Sequence, residues 1–107
     1  MPLNQEHCVP YQGETQPISK ADAQKYGAEV PSWTLHQKSI EREIKFKTFG
    51  DAMDFVNKVA QLAEKEGHHP DIYIFYNKVK LQLTTRIIGG LTLNDFILAS
   101  RIDELLK

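Results

Sequence analysis

Cysteine is almost absent: Cys8 stands alone in 107 residues. No internal disulfide is available, so the fold does not depend on an oxidising compartment. Long apolar runs are missing too, and none approaches the roughly 20 residues needed to span a bilayer. Met1 to Tyr11 lack a basic stretch leading into an apolar one, so no secretory leader is expected. Net charge is close to nil. Thirteen basic and 14 acidic side chains leave −1, which provides no overall field to draw in nucleic acid or an anionic membrane. These absences point to a cytoplasmic protein whose partners include neither nucleic acid nor membrane. There is no low-complexity tract and no internal repeat. What remains is an ordinary globular composition, 41% hydrophobic and 25% charged, at the length of one domain. Self-association would supplement so small a core.

Residues 1–18 carry Pro2, Pro10, Pro17 and Gly13 without periodicity and read as an extended N-terminal arm. A single domain is expected over 19–107. Ser19, three residues before Asp22, marks a helix start, and Gly27 with Pro31 ends a helix begun near Lys20. From Trp33 the pattern alternates. Ile40, Arg42, Ile44 and Phe46 share one parity and Glu41, Glu43, Lys45 and Lys47 the other, as in a strand with one solvated face. Arg42 is the exception on the apolar parity. Trp33 to Gln37 would be its hairpin partner, with the turn near Lys38 and Ser39.

A long helix is predicted from Phe49 to Glu66, with Ala52, Met53, Val56, Val59, Ala60 and Ala63 as its buried stripe. Thr48 with Asp51 caps its start and Gly67 its end. Two strands follow His68-His69-Pro70. Ile72, Ile74 and Tyr76 alternate with Tyr73 and Phe75, a tight turn falls at Asn77 and Lys78, and Val79, Leu81, Leu83 and Thr85 form a half-buried strand. Gly89-Gly90 breaks the chain. Thr92 and Asp95 repeat the cap spacing before a closing helix rich in Phe96, Ile97, Leu98, Ile102, Leu105 and Leu106. The order α-β-β-α-β-β-α predicts an α+β fold, a four-stranded antiparallel sheet with three helices packed on one face.

Adjacent histidines after a long helix are the chemical feature of the sequence. The unperturbed pKa of histidine lies nearest neutrality, so a pair can divide general-acid and general-base work. Pro70 favours extended geometry at His69. Glu64, four residues before His68, can face the same pocket and orient an imidazole. Plainer readings stand beside these: two surface-loop histidines, a solvated Glu64, an Asp95 that only complements a helix N-terminus, and a Tyr76 packed in the sheet. Zinc fits poorly, because His68 and His69 are adjacent and His7, Cys8 and His36 show no ligand spacing with them.

The run Glu64-Lys65-Glu66-Gly67-His68-His69-Pro70, with Tyr76-Asn77-Lys78-Val79, Gly89-Gly90-Leu91 and Asn94-Asp95-Phe96, closely resembles the pterin-4a-carbinolamine dehydratases. The similarity extends from about Trp33 to the C-terminus. It implies removal of water from a 4a-hydroxytetrahydropterin to give a quinonoid dihydropterin, a small-molecule pterin as partner, no cofactor and no metal, and a homodimer or homotetramer. It implies that His68 and His69 are the acid–base pair. Glu64, Pro70, Tyr76 and Asp95 support or bind, together with Thr84, Thr85 and Arg86. Arg86 departs from the family pattern, which has histidine or tryptophan there. Arginine stays protonated and cannot act as a general base. A scaffold that binds a different pterin, such as a phosphorylated, molybdopterin-related one, is the alternative, since a guanidinium suits phosphate. The family's second known role, as dimerisation partner of a transcription factor in animals, finds no matching helical surface in this sequence.

Overall fold

The computed structural model describes residues 3–8 and 16–107. Its elements are α1 (Lys20–Gly27), β1 (Thr34–Leu35), β2 (Ile40–Lys45), α2 (Phe49–Glu66), β3 (Asp71–Phe75), β4 (Lys78–Leu83) and α3 (Leu93–Glu104). The strands form one antiparallel sheet in the order β1-β2-β4-β3. Two hairpins therefore lie side by side with β2 and β4 at the centre, and the helices cover one face. The predicted α+β order and architecture hold.

Register assigns the two faces. Ile40 pairs with Leu83, Arg42 with Leu81 and Ile44 with Val79, while Ile72 and Ile74 oppose Leu81 and Val79 from the other side. This parity faces the helices, and Val79, Leu81 and Leu83 are fully buried. The other parity, with Glu41, Glu43, Lys78, Lys80 and Tyr73, is solvated and laced by Lys78–Glu43 and Lys80–Glu41 pairs. Arg42, the anomaly of its strand, is answered by α3. Its guanidinium lies 2.5 Å from Asp103 Oδ1, which also accepts the Trp33 indole N–H at 2.8 Å. The charge is paired, so the buried parity tolerates it.

α2 spans the predicted residues. Thr48 Oγ1 accepts from the Asp51 N–H, and Gly67 at φ +70° closes the helix by donating to the Ala63 carbonyl. Its buried face differs from the expected stripe. Ala52, Phe55, Val59 and Ala63 are enclosed, Met53 and Val56 only partly, and Ala60 is exposed. The i, i+3, i+7, i+11 row through Phe55 faces the sheet and α3, and Phe55 packs on Phe46 with ring centroids 5.2 Å apart. The β3–β4 turn also differs. It falls at Tyr76-Asn77 rather than Asn77-Lys78, Tyr76 leaves the strand at φ +58°, and Lys78 already belongs to β4. Asn77 fixes this end, its side chain donating to the Phe46 carbonyl at 2.9 Å and its own carbonyl accepting the Phe46 N–H.

α3 is buried on several sides, with Asp95, Phe96, Leu98, Ala99 and Ile102 fully enclosed. Each large apolar side chain there contributes about 1.5–3 kcal/mol. One of the covering elements is the arm, whose residues 3–8 include a short 3₁₀ turn at Leu3–Gln5 with Leu3 in the core. Residues 1–2 and 9–15 of the expected arm lie outside the described residues.

Within this arm, Cys8 is partly buried. Burial first, then the nearby Glu66 and Asp95 carboxylates, push its thiol up to about 12. Its thiolate population near pH 8 falls about a thousandfold below that of an ordinary thiol, and the greater basicity of the thiolate recovers only part of that loss. Iodoacetamide should therefore alkylate Cys8 in the native protein roughly thirtyfold more slowly than in the urea-unfolded chain. Equal rates would show that the arm leaves its seat.

Candidate active site

The end of α2, the start of β3 and the loop after β4 meet at one end of the sheet. Gly67 turns the chain out of the helix, and Pro70 holds it extended into β3, so His68 and His69 are set between the end of α2 and the start of β3. Beside them, β4 continues past Leu83. Thr85 bridges to Gly90, with its N–H donating to the Gly90 carbonyl at 2.9 Å, and this loop leads into α3. A cleft of about 270 Å³ lies between, lined by Gly67, His68, His69, Pro70, Asp71, Gln82, Thr84, Thr85, Arg86 and Ile87. That volume is near the lower end for small-molecule sites, about 300 Å³.

The chemistry of the cleft wall is organised by Asp95, which is 0% exposed. Its Oδ1 lies 2.6 Å from His68 Nε2. Its Oδ2 accepts from Thr85 Oγ1 at 2.9 Å and from the Thr92 backbone N–H at 2.9 Å. Thr85 Oγ1 also lies 2.9 Å from Thr92 Oγ1. A carboxylate without water is costly unless its lone pairs are filled, and here three donors fill them. The Thr92 contact belongs to the capping box of α3. Capping and site support are thus one arrangement, because the helix N-terminus that needs an acid also fixes the direction of that acid. With Nε2 facing a carboxylate, the neutral His68 ring carries its proton on Nε2 and leaves Nδ1 as the nitrogen able to exchange a proton.

His69 is more open. Its Nε2 lies 3.3 Å from Glu64 Oε1, and both side chains are largely exposed. Arg86, 75% exposed along its side chain, donates from one terminal nitrogen to both oxygens of Asp71 at 2.6 Å. This pair joins β3 to the β4–α3 loop at the rim. Thr84 Oγ1 donates to the Lys38 carbonyl, tying the rim to the β1–β2 turn. Glu64, His68, His69, Pro70, Thr84, Thr85, Arg86 and Asp95 are therefore gathered at one place. Tyr76 is not. It stands at the far end of the β3–β4 hairpin, five residues beyond Asp71 and roughly 16 Å along the strand, where its ring stacks on Phe49 at 6.4 Å. Asp71 and Gln82 line the cleft without having been singled out in the sequence. Their pairing across β3 and β4 has no counterpart in local spacing. Among the described residues, no three His, Cys, Asp or Glu side chains converge as a metal site requires. No helix among them is long and apolar enough to cross a membrane.

Comparison with known proteins assigns the family. Residues 16–105 match the family model described as pterin 4 alpha carbinolamine dehydratase. The chain belongs to that family. A relative in Halorhodospira halophila is 42% identical over 107 residues, covering 98% of both chains, and one in Aromatoleum aromaticum is 43% identical over 105 residues, covering 96% of this chain and 94% of its own. Both bear the name "Putative pterin-4-alpha-carbinolamine dehydratase". A crystal structure described as a transcriptional coactivator/pterin dehydratase from Brucella melitensis superposes with a TM-score of 0.81 at 26% identity, covering 86% of this chain and all of the other. This dehydratase-family chain thus shares the fold of the Brucella melitensis protein over most of its length, and its cleft lies wholly within the residues that match the family model.

Proposed function

We propose that the chain dehydrates a 4a-hydroxytetrahydropterin, with His68 and His69 as its acid–base pair. The observation that carries this reading is the His68–Asp95 pair: an imidazole on the cleft wall with its tautomer fixed by a buried carboxylate. In the reaction the N5–H proton leaves, its electron pair forms the C4a=N5 double bond, and the C4a–O bond breaks as the departing hydroxyl is protonated to water. The proton count closes without a redox partner. His68 Nδ1 takes the N5 proton, and Asp95 stands behind the positive charge that develops on the ring. His69, in its open position beside Glu64, delivers the proton to the hydroxyl. Positioned acid–base groups of this kind supply about 10²–10⁴ in rate.

Arg86 bears on the alternative, a pterin carrying phosphate. Its guanidinium is already engaged by Asp71 at the rim, so the local charge is balanced and the cleft offers no surplus cation for an anion. That pairing weighs toward dehydration. The test is turnover of freshly generated 4a-hydroxytetrahydropterin against the spontaneous reaction. Wild type should accelerate it, and Arg86→His should change the rate by no more than about fivefold, the scale of an exposed ion pair. A wild-type rate equal to the spontaneous one, with a gain on Arg86→His, would overturn the proposal in favour of a redirected scaffold.

A further inference from the structure

His68 and Asp95 lie 27 residues apart in the chain, and the short bond between them exists only while their two segments stay in register. One stretch of the arm touches both. The backbone N–H of Cys8 donates to Glu66 Oε1 at 2.8 Å, and His7 Nδ1 lies 3.0 Å from Glu66 Oε2. Glu66 is the last residue of α2, two before His68. From the same Cys8, Sγ donates to the carbonyl of Asn94 at 3.5 Å, the residue before Asp95. The other end of the stretch is seated on α3, where Arg101 donates from one terminal nitrogen to the carbonyls of Asn4 and Glu6 at 3.2 and 3.3 Å.

The local backbone explains why this seat matters. Gly67 at φ +70° is the single joint between α2 and His68, and glycine resists rotation less than any other residue. Downstream, Pro70 restrains the chain. Upstream, only the end of α2 does so, and helix ends fray unless something holds them. The Glu66 side chain is 3% exposed, which is rare for a carboxylate at a helix terminus. Burial alone would push its carboxyl up, but the hydrogen bonds from His7 and Cys8, with Arg101 nearby, bring it below the usual value. It is an anchored anion.

We infer that the arm is part of the active-site support, and that Glu66 is a positioning residue that holds His68 on Asp95 through Cys8 and the arm. The chemistry assigned to His68 rests on the proposed dehydration, whereas the positioning does not. A misplacement of about 1 Å in a catalytic group costs up to a hundredfold, and a loosened joint samples such displacements part of the time.

Full-length Glu66→Ala, Glu66→Gln and Arg101→Met separate the possibilities. Three readouts apply: iodoacetamide alkylation of Cys8 for release of the arm, the His68 Nε2 proton by NMR, expected downfield because of its short bond to Asp95, and kcat and KM for dehydration. Glu66→Ala and Arg101→Met, which free the arm from opposite sides, should each speed alkylation, broaden or abolish the His68 signal and lower kcat about tenfold, with KM within about twofold. Glu66→Gln keeps an acceptor for the Cys8 N–H and should restore most of the signal and rate. Faster alkylation with the His68 signal and kcat both unchanged would overturn the inference while leaving the dehydratase reading intact. If wild type fails to accelerate dehydration, that reading falls, and the NMR signal still decides the positioning role. Should one variant fail to fold, the other carries the same test.

Discussion

Asp95→Asn should lower dehydration by about a hundredfold or more while keeping the fold. The substitution is nearly isosteric, and the amide oxygen can still accept from the Thr85 hydroxyl and the Thr92 N–H that now meet Oδ2. That places the NH₂ group at the position of Oδ1, 2.6 Å from His68 Nε2. Two donors cannot share that contact, so Nε2 must accept and the ring proton moves to Nδ1. The nitrogen proposed to take the substrate proton is then already protonated. A forced wrong tautomer of this kind costs about 10⁴ in a serine-protease triad; here the helper residue His69 remains, so the lower bound is the safer expectation. ¹⁵N spectroscopy of His68 reads the tautomer directly. Retained Nε2 protonation with full activity would show that Asp95 acts only as a helix cap. Asp95→Ala is the harsher control. It removes the acceptor shared by the Thr85 hydroxyl, the Thr92 N–H and His68, and should cost about 3–5 kcal/mol of stability.

Periodic features of the sequence translated directly into structure, and non-local ones did not. α2 was legible because period, Thr48 and Gly67 agree on the same element. The exact face it buries was not, because Ala60 and Phe55 border the same stripe and only the location of α3 and the sheet chooses between them. The β3–β4 turn misled for a related reason. Bulky residues continue on both parities up to Tyr76, so no polar break announces that the strand has ended at Phe75. A left-handed aromatic residue is uncommon, and at Tyr76 the cost is offset by the Asn77 bonds to Phe46 and by the stack on Phe49.

For the site, His68 and Asp95 were identified as members through the family resemblance, but their contact was invisible to spacing. The capping box at Thr92 supplied the hint: an acid at the third position of a helix has its direction set by the helix, and whatever packs against that end will meet it. Thr85 belongs to the same logic, since it ends an alternating strand on the buried parity where a hydroxyl must find a partner. The arm carries no such signal. Its contacts are made partly by backbone groups of Asn4, Glu6 and Cys8, which any sequence possesses, and the side chains of His7 and Cys8 stand at no spacing that points to Glu66 or Asn94.

His68→Gln should abolish most of the catalysis, with turnover down by about 10²–10⁴ and melting little changed. Glutamine can reach toward Asp95 and donate an amide proton to Oδ1, so the buried carboxylate keeps a partner and the desolvation penalty of an unpaired anion is avoided. What it cannot do is exchange a proton near neutral pH. The loss therefore reports chemistry rather than folding, which an alanine at the same position would confuse. The decisive comparison is the double variant with Asp95→Asn. If His68 and Asp95 act as one unit, removing the second after the first costs almost nothing further, and the two losses are strongly non-additive. Independent roles would instead multiply them. A His69→Gln variant adds the remaining contrast: with its ring open to solvent beside Glu64, water can stand in as proton donor to the leaving hydroxyl, and the drop should be smaller than at His68. A larger loss at His69 would exchange the roles proposed for the two rings, because the buried, carboxylate-held histidine would then be the orienting member and the exposed one the base.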